Sequence, residues 1–485
     1  MATSDATSGR SRHRRANSLG TAGWWPAFVI AAVSLIDRIE TSILNGVLPL
    51  LQEEWGFSDT AGGAIPTAVT IAGLIVALPA GYLADRANRK NLLAVVVASW
   101  SVITLASGLA ISFAMFFGTR VVLGAADNLD IPSQSSLLGD YYPPEARPKV
   151  FGVQRMVYFV GIGVGALLGG AIGELVGWRW AFFSMIIPGL IVAWWCYRLR
   201  EPVRGEADRL AAERARDARH AAERARGTED TPESDPALQA PTEAADPAAP
   251  SEPGAPAPAG EPRPLEGGWR ALLDQIRELF RSRTLRFLFA ALVVLFLGLN
   301  GIFFWLPTFF VRTWDVGTGL GGALTAVIII IGVITGTVVG SLIGRRWHGI
   351  VAGVRVLAGG VGFAIGGVLM GAAFLSPSLA LQVTLLVLAT ASMSIAIPNH
   401  FAAAADCISP RHRGVGFTLV QVGTAAGSSF GPLVVGAVSD RTGSLQQSFY
   451  TLVVPIVIAG IVVLGGRSSY EDDAARVLEG SLEGR

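Results

Sequence analysis

Three ionisable residues, Asp37, Arg38 and Glu40, stand inside an otherwise apolar run from about residue 24 to residue 51. A run of that length crosses a bilayer as a helix. A formal charge at mid-bilayer depth costs about 2.5–3.5 kcal/mol or more, so such residues face protein or water and mark a site. At about 100° per residue, Ser34, Asp37, Arg38, Thr41, Ser42 and Asn45 share one arc, with Glu40 at its edge. Ile36, Ile39 and Ile43 form the opposite face. Two carboxylates one turn apart, one flanked by a guanidinium, can take up and release a proton, with burial and the arginine setting the affinity. The plainer reading is a static buried ion pair that holds helices together. Asp37 and Glu40 are thus candidate proton carriers, and Arg38 a candidate ligand for an anionic group.

A second constellation lies in the fourth apolar segment: Arg120, Asp127, Asn128, Asp130 and Gln134. Arg120, Asp127 and Gln134 recur every seven residues and share a face, with about 10 Å of helix axis between the first two. That spacing makes a charged cavity wall rather than one direct ion pair. Asp127 joins the proton candidates; Arg120, Asn128, Asp130 and Gln134 join the substrate candidates. In the fifth segment Tyr158 is expected on the same cavity, and Arg155 either there or as an anchor at the membrane surface. The second half of the chain offers milder groups. Asn300, Trp305, Asn399 and Gln421 are its substrate candidates, with Thr325, Thr335, Ser392 and Thr424 near them, and His400 reads as a packing residue. No acidic residue lies deep in those later segments, so titratable chemistry sits in the first half. A wall charged on one side and mostly apolar on the other suits an amphipathic substrate.

These residues need a membrane scaffold, and the composition supplies one. Of 485 residues 51% are hydrophobic and 15% charged, against roughly 25% charged in soluble domains. About twelve runs of some 20 apolar residues follow, six between 24 and 198 and six between 287 and 465. The expected fold is all-α and integral to the membrane, twelve helices in two pseudo-symmetric six-helix halves. Arg10, Arg12, Arg14 and Arg15 precede an apolar segment too long for a signal-peptide core, so no cleaved leader is expected. Basic residues at 86–90, 147–149, 345–346 and 411–413 fall in alternate connections, which predicts cytoplasmic termini in a cell membrane, inner or plasma. The chain divides into a tail (1–22), a first half (23–199), a linker (200–285), a second half (286–466) and a final tail (467–485). Pro, Ala and Glu dominate the linker from 228 to 264, which reads as disordered; apolar residues at 3–4 spacing near 268–283 predict an amphipathic helix on the membrane surface.

Two cysteines and five histidines make a disulfide framework, a metal site or an enzyme's catalytic set unexpected, and no cofactor is expected. No G-x4-G-K phosphate loop is present, so nucleotide drive is unsupported, and nothing points to nucleic acid. The expected partners are the substrate, protons and the bilayer, with the chain acting as a monomer.

An internal repeat organises the rest. Asp140 to Arg147 resembles Asp406 to Arg413, and at the same offset Gly161, Gly165, Gly170, Gly177 and Phe183 meet Gly427, Gly431, Gly436, Gly443 and Phe449. A shorter match sets Gly81–Arg86 against Gly340–Arg345. Two halves related by a parallel repeat place a substrate site at the midplane between them. Between the second and third segments, Gly81, Asp85, Arg86, Arg89 and Lys90 form a candidate gate. Glycine permits close approach, the aspartate meets a helix start across the halves, and the basic residues pair with acids or the anionic leaflet.

That loop resembles the signature of the major facilitator superfamily. Gly161, Gly165, Gly169 and Gly170 read first as tight helix packing. They also resemble the antiporter signature of drug exporters, with Ala166 where that pattern has proline. A nearer resemblance is to spinster-like transporters. It rests on Asp37-Arg38, Gly46-Val47-Leu48-Pro49, Gly81 to Lys90, Trp100-Ser101, Arg120-x6-Asp127, Gly139-Asp140 and Trp178-Arg179-Trp180-Ala181-Phe182, and covers about residues 34–183. Animal members move lysophospholipids or sphingosine phosphate. The resemblance implies secondary transport by alternating access, with Asp37 and Arg38 as the proton-linked pair and Arg120 as a cavity cation. Asp127 stands where the family has glutamate; Asp130 and the long linker depart from the pattern. The alternatives are a proton-antiporting exporter of small molecules or drugs, and a membrane sensor that transports nothing.

Overall fold

The computed structural model describes residues 22–86, 88–127, 130–143, 146–210, 268–409 and 413–483, with 213, 216, 217 and 220. The helices of the first part are α1 (Trp25–Trp55), α2 (Asp59–Arg86), α3 (Arg89–Gly108), α4 (Phe113–Asp127), α5 (Asp130–Tyr141), α6 (Arg147–Val176), α7 (Trp178–Phe183) and α8 (Ile186–Arg198). Then come α9 (Gly268–Leu279), α10 (Arg283–Trp314), α11 (Thr318–Arg346), α12 (Val354–Phe374), α13 (Leu379–Ser394) and α14 (Ala396–Asp406). The chain closes with α15 (Arg413–Thr442), α16 (Leu445–Leu464) and α17 (Arg467–Glu483). Among the described residues there is no strand.

Ten stretches are long and apolar enough to cross a membrane, with α7 and α8 making one and α13 and α14 another. The two remaining segments of the sequence reading are α1, which carries its charges mid-helix, and α4 followed by α5. The helix expected near 268–283 is present as α9; the disordered stretch expected between 228 and 264 lies outside the described residues.

Local sequence sets the ends. Asn88, Ser282, Ser378 and Ser444 each accept, on the side chain, the N–H three residues on, capping α3, α10, α13 and α16. Gly177 and Gly443, partners in the repeat, both have positive φ, 98° and 69°, a conformation in which any other residue is strained.

The repeat is visible in the packing. A Cβ on Gly161 would sit 3.1 Å from the Leu35 carbonyl oxygen, and one on Gly165 2.5 Å from that of Ile39. Their counterparts Gly427 and Gly431 meet the Val293 and Leu297 oxygens at 2.4 and 2.1 Å. So α6 lies backbone-close on α1, and α15 on α10, through equivalent glycines. Arg89 pairs with Asp140 in one half and Arg355 with Asp406 in the other, two pairs related by the same offset as the glycines.

One apolar core, holding Leu93, Tyr142 and Cys196, fills the terminal end of the first half. A larger one, from Ile43 and Phe116 to Trp305 and Phe363, runs through both halves. Hydrogen bonds between the halves cluster at the end opposite the termini: Arg312 to Asp59, Thr67 Oγ1 to the Ser429 carbonyl (2.6 Å) and Ser429 to Thr70. Beneath that seam α1, α2, α4, α6, α10 and α15 enclose a central cavity of about 310 Å3.

Candidate functional site

Arg38, Arg120, Asp127, Tyr158 and Asn300 all line that cavity. Arg38 donates from Nε to Asp37 Oδ2 at 2.7 Å, with a second nitrogen at 2.6 Å. Its guanidinium lies 5.0 Å from the centre of the Tyr158 ring, within cation–π range. Asp37 is not on that wall and instead lines a small cleft with Glu40, Trp100 and Thr104. The arginine therefore faces the cavity while its carboxylate partner sits behind it.

Glu40, at the edge of the wet arc in the sequence, is deeply buried and paired with Arg120. Arg120 donates to Glu40 Oε1 at 2.7 Å, Thr104 Oγ1 donates to the same oxygen at 2.9 Å, and Arg120 also reaches Ser107. Phe116 and Phe182 place their rings 5.3 and 4.9 Å from the guanidinium. Side-chain exposures of 3% and 7% mean that the pair must stay satisfied, because removing one partner of such a pair costs about 3–5 kcal/mol.

Asp130 and Gln134 sit apart from the cavity, buried between α1, α5 and α6. Gln134 donates to Asp130 and accepts from Ser34 Oγ and Gln154 Nε2, both at 2.9 Å. Asn128 and the side chain of Arg155 lie outside the described residues. Across the cavity Asn300 donates to the Phe296 carbonyl and to Ser428, both at 3.2 Å. Phe303, Phe304, Ile65, Leu74 and Ile162 supply apolar wall.

Three further substrate candidates, besides Asp130 and Gln134, lie off the cavity wall. Trp305 is fully buried and donates its indole N–H to the Pro432 carbonyl at 2.9 Å. Asn399 donates to the Gly340 and Ile395 carbonyls at 2.9 and 2.8 Å, fastening α14 to α11. Gln421 is exposed on α15 and not on the cavity wall. His400 is buried against Phe363, ring centres 5.1 Å apart.

Of the gate residues, Gly81, Asp85 and Arg86 belong to α2, and their side chains lie outside the described set. Arg89 is 2% exposed and turned inward rather than toward the leaflet. It pairs with Asp140 and with Glu201 (2.8 Å), and donates to Ser136 and the Pro202 carbonyl. Lys90 donates its backbone N–H to Glu201 and its ammonium to the Tyr197 carbonyl.

Sequence reasoning did not find Thr104 and Ser107, which complete the Arg120 pocket, nor the Ser34–Gln154 contact. The signal available was their polarity inside apolar helices.

Two helical halves facing each other across a charged, partly apolar midplane cavity define a membrane carrier. The sequence profile of the Major Facilitator Superfamily matches residues 30–370 and 354–479, and the chain belongs to that family. Within it the chain is similar to spinster proteins, among others. It is 26% identical over 195 residues to Protein spinster of Drosophila melanogaster, 40% of this chain and 32% of that one. It is 29% identical over 187 residues to human Protein spinster homolog 1, 37% and 35% of the two chains. The puromycin resistance protein of Streptomyces alboniger is 31% identical over 189 residues, 39% and 38%. The matched stretch thus spans about a third of these relatives' length. Among solved structures, a bacterial homolog to the human lysosomal transporter Spinster, inward-facing and unoccupied, superposes with TM-score 0.68 at 20% identity, covering 95% of this chain and 98% of that one. A D-xylose-proton symporter gives 0.63 at 16% identity, covering 91% and 97%. At these identities the structures speak for the fold. Major facilitator proteins are transporters, not enzymes, and carry small molecules.

Proposed function

We propose that the chain is a proton-coupled secondary transporter for an amphipathic anion of the lysophospholipid class. The observation that carries this is the Asp37–Arg38 pair, whose cation opens on the cavity while its carboxylate lies behind. Arg120 is held by Glu40 and by two aromatic rings, so Arg38 is the cation free to change partner. Protonation of Asp37 neutralises its hold on Arg38, and an anionic headgroup takes the carboxylate's place. Deprotonation reverses the exchange. The substrate's apolar part lies along Phe303, Phe304 and Ile65, and Asp127 offers a second carboxylate on the same wall. A cavity of about 310 Å3 is at the small end of the ligand range of roughly 300–1,000 Å3, and suits a headgroup with its first apolar segment. The chain sits in the cell membrane with its termini cytoplasmic, sealed at the outer end, and acts as a monomer.

The test is uptake of labelled lysophospholipid into proteoliposomes under an imposed pH gradient. Gradient-driven uptake should fall at least tenfold in Asp37→Asn while gradient-independent binding persists; equal uptake by the variant and the parent protein sinks the proton assignment.

A second reading, proton-antiporting export of small cationic molecules, is favoured by Asp127 on the cavity wall and by the similarity to the puromycin resistance protein. It wins if a cationic dye moves against the gradient and lysolipid does not.

A further inference from the structure

At the seam opposite the termini, Gly170-x3-Glu174 on α6 and Gly436-x3-Asp440 on α15 occupy equivalent positions in the repeat. Each motif crosses to the start of a helix in the other half. Asp440 accepts the backbone N–H of Asp59 on Oδ1 at 2.9 Å and that of Thr60 on Oδ2 at 2.8 Å. Glu174 accepts the backbone N–H of Gly319 on Oε2 at 2.6 Å. Thr60 and Gly319 are themselves equivalent, related by the offset that takes Gly81 to Gly340.

We propose that these two carboxylates form a pseudo-symmetric latch, each capping a helix of the opposite half, and that the outer end opens only when both caps break. The first N–H groups of α2 and α11 have no partner within their own helices, and they carry the positive end of the helix dipole. A carboxylate is the group they bind best. The glycines make the reach possible: a Cβ on Gly436 would lie 2.2 Å from the Asp59 carbonyl oxygen, and one on Gly170 2.2 Å from that of Thr318. One turn earlier the pattern recurs, with Gly63 against the Pro432 oxygen and Gly322 against that of Ala166, both 2.3 Å for an added Cβ.

Glu174 and Asp440 are both exposed, so water replaces the N–H groups when the halves part. That separates this latch from the Glu40–Arg120 pair, whose side chains are only 7% and 3% exposed. The latch is reinforced more heavily on one side. Asp59 receives Arg312 through two hydrogen bonds (2.8 and 2.7 Å) and Ser439 at 2.6 Å, whereas its counterpart Thr318 donates one to the Gly170 carbonyl.

The experiment measures the distance between nitroxides on Leu109→Cys and Leu375→Cys, exposed positions at the outer end of each half. The background is Cys196→Ser, Cys407→Ser, in lipid nanodiscs without substrate. The parent should give mainly a short distance. Asp440→Asn and Glu174→Gln should each raise the ratio of long to short distances about fivefold, and the double variant about 25-fold if the caps act independently. An unchanged distribution in the double variant overturns the proposal. So does a distribution that responds only to Arg312→Gln, which would leave that arginine as the sole closure. If the double variant does not purify as a monodisperse protein, the two single variants carry the same test, because each removes a charge while keeping the side-chain shape.

Discussion

Two arginines meet the cavity, and their freedom differs. Arg38 leans on a tyrosine face and one carboxylate, with 22% of its side chain exposed; Arg120 is enclosed. Of the residues the sequence singled out, Arg38, Asp127, Tyr158 and Asn300 lie on the cavity wall and Asp37 in the cleft behind it, as expected of polar groups in apolar helices, which must face protein or water. It did not indicate the partner of Arg120. Spacing within α4 drew attention to Asp127, while the acid it binds lies on α1, a contact that helical periodicity cannot express. Trp305 and Asn399 show the converse. Their polar atoms answer backbone carbonyls, and composition does not distinguish that from a ligand. The Glu40–Arg120 pair gives a prediction at this scale. Glu40→Gln alone should destabilise by about 3–5 kcal/mol, because it strands a buried guanidinium, while Glu40→Leu with Arg120→Met should cost less than either single change. Chemical unfolding in detergent reads both; additive losses would show that the two residues are not coupled.

At the scale of elements, the glycine run of the fifth segment had two readings, helix packing and an exporter signature. Its geometry is that of packing. Gly165 and Gly169 lie against the Ile39 and Ile43 carbonyls, where an added Cβ would sit 2.5 and 2.3 Å away. Gly165→Ala therefore forces α6 off α1 and should cost about 1–3 kcal/mol, more than the same change at Gly118, which has nothing within 4 Å. Thermal unfolding of the two variants compares them directly. The C-terminal helix α17 makes a second, pH-dependent prediction. Burial raises the Asp473 carboxyl, but hydrogen bonds from Ser282 Oγ and the Thr284 N–H, with Arg476 beside them, more than offset it and hold it below the usual carboxylate range. A folded value below the unfolded one, about 3.9, stabilises at pH above that value and loses the effect as pH falls through the folded value. The protection of α17 amides against hydrogen exchange, corrected for the intrinsic rate, should therefore fall on acidification below the ordinary carboxylate range, earlier than in α10, and Asp473→Asn should abolish most of that dependence. Identical profiles for the variant and the parent would remove Asp473 as the tether.

At the scale of the molecule, two sequence offsets describe the whole assembly, one relating α6 to α15 and the other α2 to α11. The first was legible as matched glycines and the second as the shorter match of Gly81–Arg86 with Gly340–Arg345; Gly161, Gly165 and Gly170 make the same kind of helix contact as Gly427, Gly431 and Gly436. What pattern alone could not give is which contacts lie within a half and which lie between halves. Gly165 touches α1 of its own half, whereas Gly170, little more than a turn further on, touches α11 of the other, because the helix turns a different face across the seam. Alternating access requires that only the second kind break. Thr70 and Ser429 test this, since their side chains meet across the seam beside the cavity. In the double variant Thr70→Cys, Ser429→Cys, oxidation should cross-link the halves and stop uptake, and a reductant should restore it. The two native cysteines are buried, so the parent protein should be indifferent to the same treatment. Uptake that continued in fully cross-linked protein would mean that this seam does not open during transport, and the halves would have to exchange substrate by a path that leaves α2 and α15 joined.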